Sequence, residues 1–156
     1  MPDMLVKLYD LPKLAPEIEK MAAKGIIIRP CYAWEKIKAV NWVEKNYGQS
    51  WASEFEISFK TMPATNFIAI KAKKIVGFAV YDATRKNFFG PTGVLEEMQG
   101  LGIGRVLLIA SLTKMYENGY AYAIIGGVGP VEFYQKTVGA SLIDGSDPGI
   151  YNFDLD

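Results

Sequence analysis

The sequence has no histidine and one cysteine, Cys31. These absences exclude a Ser-His-Asp triad, a Cys-His dyad and any metal site built on imidazole or several thiolates, so no metal is expected. One cysteine also leaves no internal disulfide. Acid–base work falls to carboxylates, Tyr, Lys, Cys or water. Net charge is lacking too, since 17 Lys and Arg balance 17 Asp and Glu. Bulk charge therefore gives no reason to expect nucleic acid or a membrane surface as partner. The aromatic residues are not interleaved with enough basic ones to suggest base stacking. No apolar run reaches the roughly 18 residues of a spanning helix, and no basic-then-apolar leader opens the chain. A cytoplasmic location is the expectation.

What remains is ordinary globular composition. The chain has 156 residues, half of them hydrophobic, which suits one domain with its own core. No repeat or low-complexity segment interrupts it. Met4 to Tyr9 reads as a strand. A helix is expected from Pro16, a residue suited to a first helical turn, to Lys24, with Gly25 as its stop. Gly25-Ile26-Ile27-Ile28-Arg29-Pro30 reads as a strand that ends near Pro30. Trp34, Ile37, Val40, Val43 and Tyr47 have helical spacing, ending at Gly48. Residues 51–60 read as a second helix with Trp51, Phe55 and Phe59 on one side, a strand being the alternative. Residues 66–72 and 74–83 are strands joined by a turn at Lys73-Lys74, whose lysines suit a solvated tip. Residues 88–95 form another strand, in which Gly90-Pro91 demands a bulge or splayed edge. A long helix over 102–118, a strand over 122–128, a helix over 131–138, and strands over 140–143 and 150–155 complete the order. A three-strand meander running into a strand–helix–strand crossover predicts an α/β (α+β) fold, a mixed sheet with helices on both faces.

The segment richest in chemistry is Gln99-Gly100-Leu101-Gly102-Ile103-Gly104-Arg105, where a strand ends and the long helix begins. The first amides of a helix lack internal partners, and the helix dipole places partial positive charge there. Glycines let a phosphate approach such amides closely. Arg105 adds a cation in the first turn, where it opposes the dipole unless an anion binds. Two familiar phosphate loops fail. No Gly-Lys-Ser/Thr follows, and the third glycine of a dinucleotide fingerprint is replaced by Arg105 or Leu107, depending on the frame.

The remaining pattern, Gln-x-x-Gly-x-Gly at Gln99, Gly102 and Gly104, resembles motif A of the GNAT superfamily of N-acetyltransferases. Val94 and Leu95 resemble its splayed fourth core strand. Pro130-Val131-Glu132-Phe133-Tyr134-Gln135-Lys136 with Gly139 resembles its later helix. The resemblance spans about residues 26–155, with residues 1–25 as a strand–helix addition to a single domain over 1–156. It implies a mostly antiparallel sheet splayed after the fourth core strand. It also implies acetyl-CoA as cosubstrate, its pyrophosphate held by Gln99 to Arg105, and a primary amine of a small molecule or protein as acceptor. Direct attack in a ternary complex follows, with a free amide at Val94 or Leu95 supporting the acyl oxygen and Tyr134 protonating the leaving sulfur. Many relatives carry Asn after the fifth strand. This chain has Gly126-Gly127-Val128-Gly129-Pro130, which removes that side-chain contact.

The base is open among Glu54, Glu56, Glu96, Glu97 and Asp82, with Glu54 the leading candidate; a solvated helix face is the plain alternative for Glu54 and Glu56. Trp51 and Phe55 are either core or acceptor-pocket walls, and Tyr134 is either catalytic or a packed aromatic. Cys31 reads as inert packing. A non-catalytic CoA-sensing domain of the same fold, and a dimerising module that uses residues 1–25, stand as alternatives to the enzyme. Homodimerisation is open.

Overall fold

The computed structural model describes residues 1–151 and 155. Its elements are β1 (Met4–Lys7), α1 (Leu14–Ala23), β2 (Ile26–Arg29), α2 (Lys36–Tyr47), α3 (Gln49–Ile57), β3 (Asn66–Lys71), β4 (Lys74–Tyr81), β5 (Phe88–Val94), α4 (Ile103–Glu117), β6 (Tyr122–Ile125), α5 (Val131–Val138) and β7 (Ser141–Leu142). The closing strand expected over 150–155 falls largely outside the described residues.

The strands form one seven-stranded sheet in the order β2-β3-β4-β5-β6-β1-β7. Every pair is antiparallel except β5 with β6. That parallel pair needs a crossover, which α4 supplies. The β3–β4 hairpin turns at Ala72-Lys73, one residue before the expected place, because Lys71 pairs with Lys74. Both turn residues take positive φ, 49° and 65°, the twist that tight hairpins need.

β5 explains how the sheet opens. It pairs with β4 as far as Val94, but with β6 only at Phe88 and Phe89. Its register against β4 shifts between Ala79 and Tyr81, opposite Gly90-Pro91, where proline cannot donate a ladder bond. Beyond Phe89 the two strands part, which is the expected splay.

The sheet is covered on both faces. Ala79 and Tyr81 of β4 join the core beneath α1 and α4, whereas Phe78 and Val80 face the core beneath α2 and α3. Alternation along one strand thus feeds two cores. α4 buries nine residues, from Ile103 to Met115. It is apolar almost all round because it packs against both the sheet and α1, as a helix buried on more than one face must be.

Residues 1–25 are woven into this arrangement. β1 lies between β6 and β7, with Met4 facing Ile125 on one side and Leu142 on the other. Met4 and Val6 are fully buried. The apolar row expected from Trp34 to Tyr47, by contrast, runs partly onto the surface: Ala39 and Val43 of α2 are buried, but Ile37 and, in the short turn before the helix, Trp34 are 75% and 82% exposed. Trp34 stacks instead on Tyr32, whose other partner is the Arg29 guanidinium 3.9 Å from its ring centre.

Candidate active site

After β5 the chain makes one short turn at Glu96–Met98 and enters the glycine loop. Gly100 and Gly102 hold φ of 84° and 87°, a left-handed backbone that only glycine adopts without strain. Gly102 is the N-cap of α4 and offers no side-chain cap. The first helical bond runs from the Val106 N–H to the Gly102 carbonyl at 3.2 Å. Among the described residues, no protein acceptor takes the N–H groups of Gly100, Leu101, Gly102, Ile103, Gly104 or Arg105. Six successive donors with a helix dipole behind them make an anion site. A Cβ at Gly104 would touch only Val94 Cγ2, at 3.8 Å, so nothing in the protein requires glycine there.

The Arg105 side chain has its own partner. Its Nε and Nη2 donate to Glu17 Oε1 at 3.1 and 3.0 Å. Glu17 is almost fully buried on α1, and the guanidinium holds its carboxyl below the usual range against the opposing effect of burial. Glu17 therefore answers the awkward cation at the start of α4, from 88 positions upstream. No spacing rule in the sequence joins the two. Lys24, just past the end of α1, donates to the Leu101 carbonyl at 2.7 Å and braces the same loop.

The loop forms one end of a cleft of about 610 Å³, whose other walls include Thr92, Gly93, Val94, Phe133 and Tyr134. The Leu95 N–H is bound by the Val76 carbonyl at 3.0 Å. Hydrogen-bonded pairs alternate along an antiparallel ladder. With Gly77 opposite Val94, the Val94 N–H and C=O therefore turn away from β4, toward the gap left by β6. The Gln99 side chain approaches that Val94 carbonyl at 3.4 Å. Of the two amides considered for an acyl oxygen, Val94 faces the gap and Leu95 does not. Tyr134 stands across the cleft on α5, 7% exposed, with no hydrogen bond to its hydroxyl among the described residues. Burial pushes its pKa up to about 12, so its hydroxyl keeps its proton at any ordinary pH.

A second cavity of about 370 Å³ shares Phe89 with the cleft and continues along Gly90 and Pro91. Glu54 and Trp51 of α3 line it, together with Thr84. The Thr84 hydroxyl donates to Glu54 Oε1. The other carboxylate candidates are dispersed. Glu56 pairs with Lys36 at 3.3 Å. Asp82 accepts from Tyr120 Oη at 3.1 Å and from the Asn87 N–H at 2.8 Å. Glu96 and Glu97 lie exposed on the turn after β5. Phe55 is wholly core, whereas Trp51 is partly exposed. Cys31 is buried, with its thiol pushed up to about 12 by desolvation.

Comparison with known proteins places this geometry. A family model described as the acetyltransferase (GNAT) family matches residues 31–140. A GCN5-related N-acetyltransferase from Sphaerobacter thermophilus superposes with a TM-score of 0.69 at 19% identity, over 91% of this chain and 48% of that one. One from Kribbella flavida superposes at 0.62 and 19%, over 90% and 53%. A GCN5-related glucosamine N-acetyltransferase region of a fungal multi-domain beta-N-acetylglucosaminidase gives 0.72 at 14%, over 91% and 19%. This chain thus spans about half the length of those bacterial relatives and a fifth of the fungal one. Among curated proteins, no sequence match is found. At these identities the structural likeness speaks for the fold, and the sequence match over most of the chain speaks for the family: the chain belongs to the GNAT acetyltransferase family.

Proposed function

We propose that this chain is an acetyl-CoA-dependent N-acetyltransferase that passes the acetyl group directly to a primary amine. The observation that carries the reading is the run of six unpartnered N–H groups from Gly100 to Arg105, opening on the cleft that also holds Val94 and Tyr134. A diphosphate fits such a cradle through main-chain donors, with the Arg105 side chain held by Glu17.

The coenzyme supplies an acyl thioester when bound. The protein contributes the rest. The Val94 N–H donates toward the acyl oxygen where negative charge develops. Glu54, directly or through one water, accepts the proton that an ammonium acceptor must lose; such an amine has an unperturbed pKa of about 10.4. As the new N–C bond forms and the C–S bond breaks, Tyr134 gives its proton to sulfur. Holding two substrates on either side of β5 supplies much of the rate gain.

Calorimetric titration with acetyl-CoA, followed by a free-thiol release assay across amines, tests the reading. Micromolar binding with amine-dependent thiol release is expected. Binding without thiol release for any amine would leave a coenzyme-sensing domain instead.

A further inference from the structure

We infer that the second cavity is the acceptor site and that its acceptor is a small primary monoamine with an aromatic body. This rests on the transferase reading above and adds the substrate class.

Size comes first. At about 370 Å³ the cavity is much smaller than the coenzyme cleft. Six separate stretches of chain contribute to it, including Met1, Gly126-Gly127 and Pro148. It is therefore a local hollow and not a trough along one element, which favours a small molecule over an extended polypeptide.

The walls come next. Trp51, Phe89, Pro91 and Tyr151 are flat or rigid apolar surfaces. Tyr151 packs on the Gly126-Gly127 turn, where a Cβ at Gly126 would run into its hydroxyl and into the Phe88 ring. Gly126 and Gly127 thus make room for an aromatic wall. Flat rings pack well against an aromatic ligand.

Charge sets the rest. Glu54 is the one acidic side chain among the described residues that line the cavity. One of its oxygens accepts from Thr84, and the other has no protein partner among the described residues. The neighbouring acids are engaged: Asp3 accepts the Gly127 N–H at 2.9 Å, and Asp147 pairs with the Met1 amine at 2.7 Å. Asp3 and Glu54 act on Tyr151 more strongly than Arg85 does, but among the described lining residues Glu54 alone offers an open carboxylate oxygen. One open carboxylate pairs with one ammonium group and leaves a second without a partner.

The test uses wild-type protein with 2-phenylethylamine, spermidine and a heptapeptide with a free N-terminus. Acetyl-CoA binding is measured separately by calorimetry. We expect kcat/KM for 2-phenylethylamine to exceed that of either competitor by about tenfold or more, the worth of one good aromatic contact and one avoided charge. Calorimetry should report 2-phenylethylamine binding without turnover, in wild type and variants alike. Trp51→Ala and Glu54→Gln should each weaken that binding by about tenfold while leaving coenzyme affinity intact. Faster thiol release with spermidine or the heptapeptide overturns the acceptor class and leaves the transferase standing. Unchanged amine affinity in Glu54→Gln, whose side chain keeps the same shape, overturns the assignment of the cavity. Failure of acetyl-CoA to bind overturns the transferase reading and this inference with it.

Discussion

Arg105 and Glu17, 88 positions apart, are joined by two hydrogen bonds that fasten α1 to the start of α4. The guanidinium beside the glycine loop therefore serves the protein's own architecture, and in the proposed function the grip on the coenzyme falls to main-chain N–H groups. Glu17→Gln should lower stability at neutral pH by about 1–2 kcal/mol, the range for a charged hydrogen bond whose partner is partly solvated. Because Arg105 holds the Glu17 carboxyl below its ordinary 4.5, that stabilisation is present above pH 4.5 and lost as the pH falls through the lower folded value. Denaturation midpoints of wild type and variant should converge in acid. Acetyl-CoA affinity should not fall in this variant; a tenfold loss would mean that the side chain, positioned by Glu17, binds phosphate.

Tyr134→Phe should reduce kcat by about a hundredfold, the usual scale for a general acid, with coenzyme affinity nearly unchanged. Burial raises the Tyr134 and Tyr81 hydroxyls to about 12. Their neutral forms favour the fold below pH 10, and that contribution disappears as the pH rises through the folded values. Ultraviolet titration should show two tyrosines ionising well after the rest. If Tyr134 ionised with the exposed tyrosines, its role as a neutral donor would be contradicted.

Cys31 should resist thiol reagents in the native protein at pH 8 and react on unfolding. Its side chain is 3% exposed and its pKa is raised to about 12, so almost no thiolate is present. Rapid native modification would reopen a covalent route through this residue.

The Tyr47 ring lies against β5 so closely that a Cβ at Gly93 would fall 2.6 Å from its Cζ. Its hydroxyl is buried with no partner among the described residues. Tyr47→Phe should therefore raise stability by about 1 kcal/mol, the low end of the cost of an unmet polar group. Gly93→Ala should destabilise the protein by about 1–3 kcal/mol through overpacking. Chemical denaturation would measure both.

Much of this was legible in the residues. Helical spacing and the glycines at the ends of helices located all five helices within a few positions, because apolar period and capping are local properties. Gly90-Pro91 marked where the sheet opens, since a proline cannot complete a ladder. The loop from Gln99 to Arg105 announced itself through glycine spacing. What stayed hidden depends on chain segments far apart. Nothing local told that β1 inserts between β6 and β7, that Glu17 claims Arg105, or that Tyr151 occupies the space above Gly126. The apolar row from Trp34 to Tyr47 misled at Trp34 and Ile37, because a surface stack with Tyr32 and Arg29 satisfies the indole outside the core. Glu54 led the five candidate carboxylates in the sequence, but that it alone of the five lines the second cavity is a matter of tertiary placement.

The most direct test of main-chain grip is Gly104→Ala. The backbone there is helical, and the added methyl would meet only Val94 Cγ2 at 3.8 Å. The fold should lose nothing and gain up to about 1 kcal/mol of helix propensity. Calorimetry should nevertheless show acetyl-CoA affinity reduced by about tenfold or more, because the methyl holds the diphosphate away from the amides at the mouth of α4. A stable Gly104→Ala protein that binds acetyl-CoA as tightly as wild type would contradict the account.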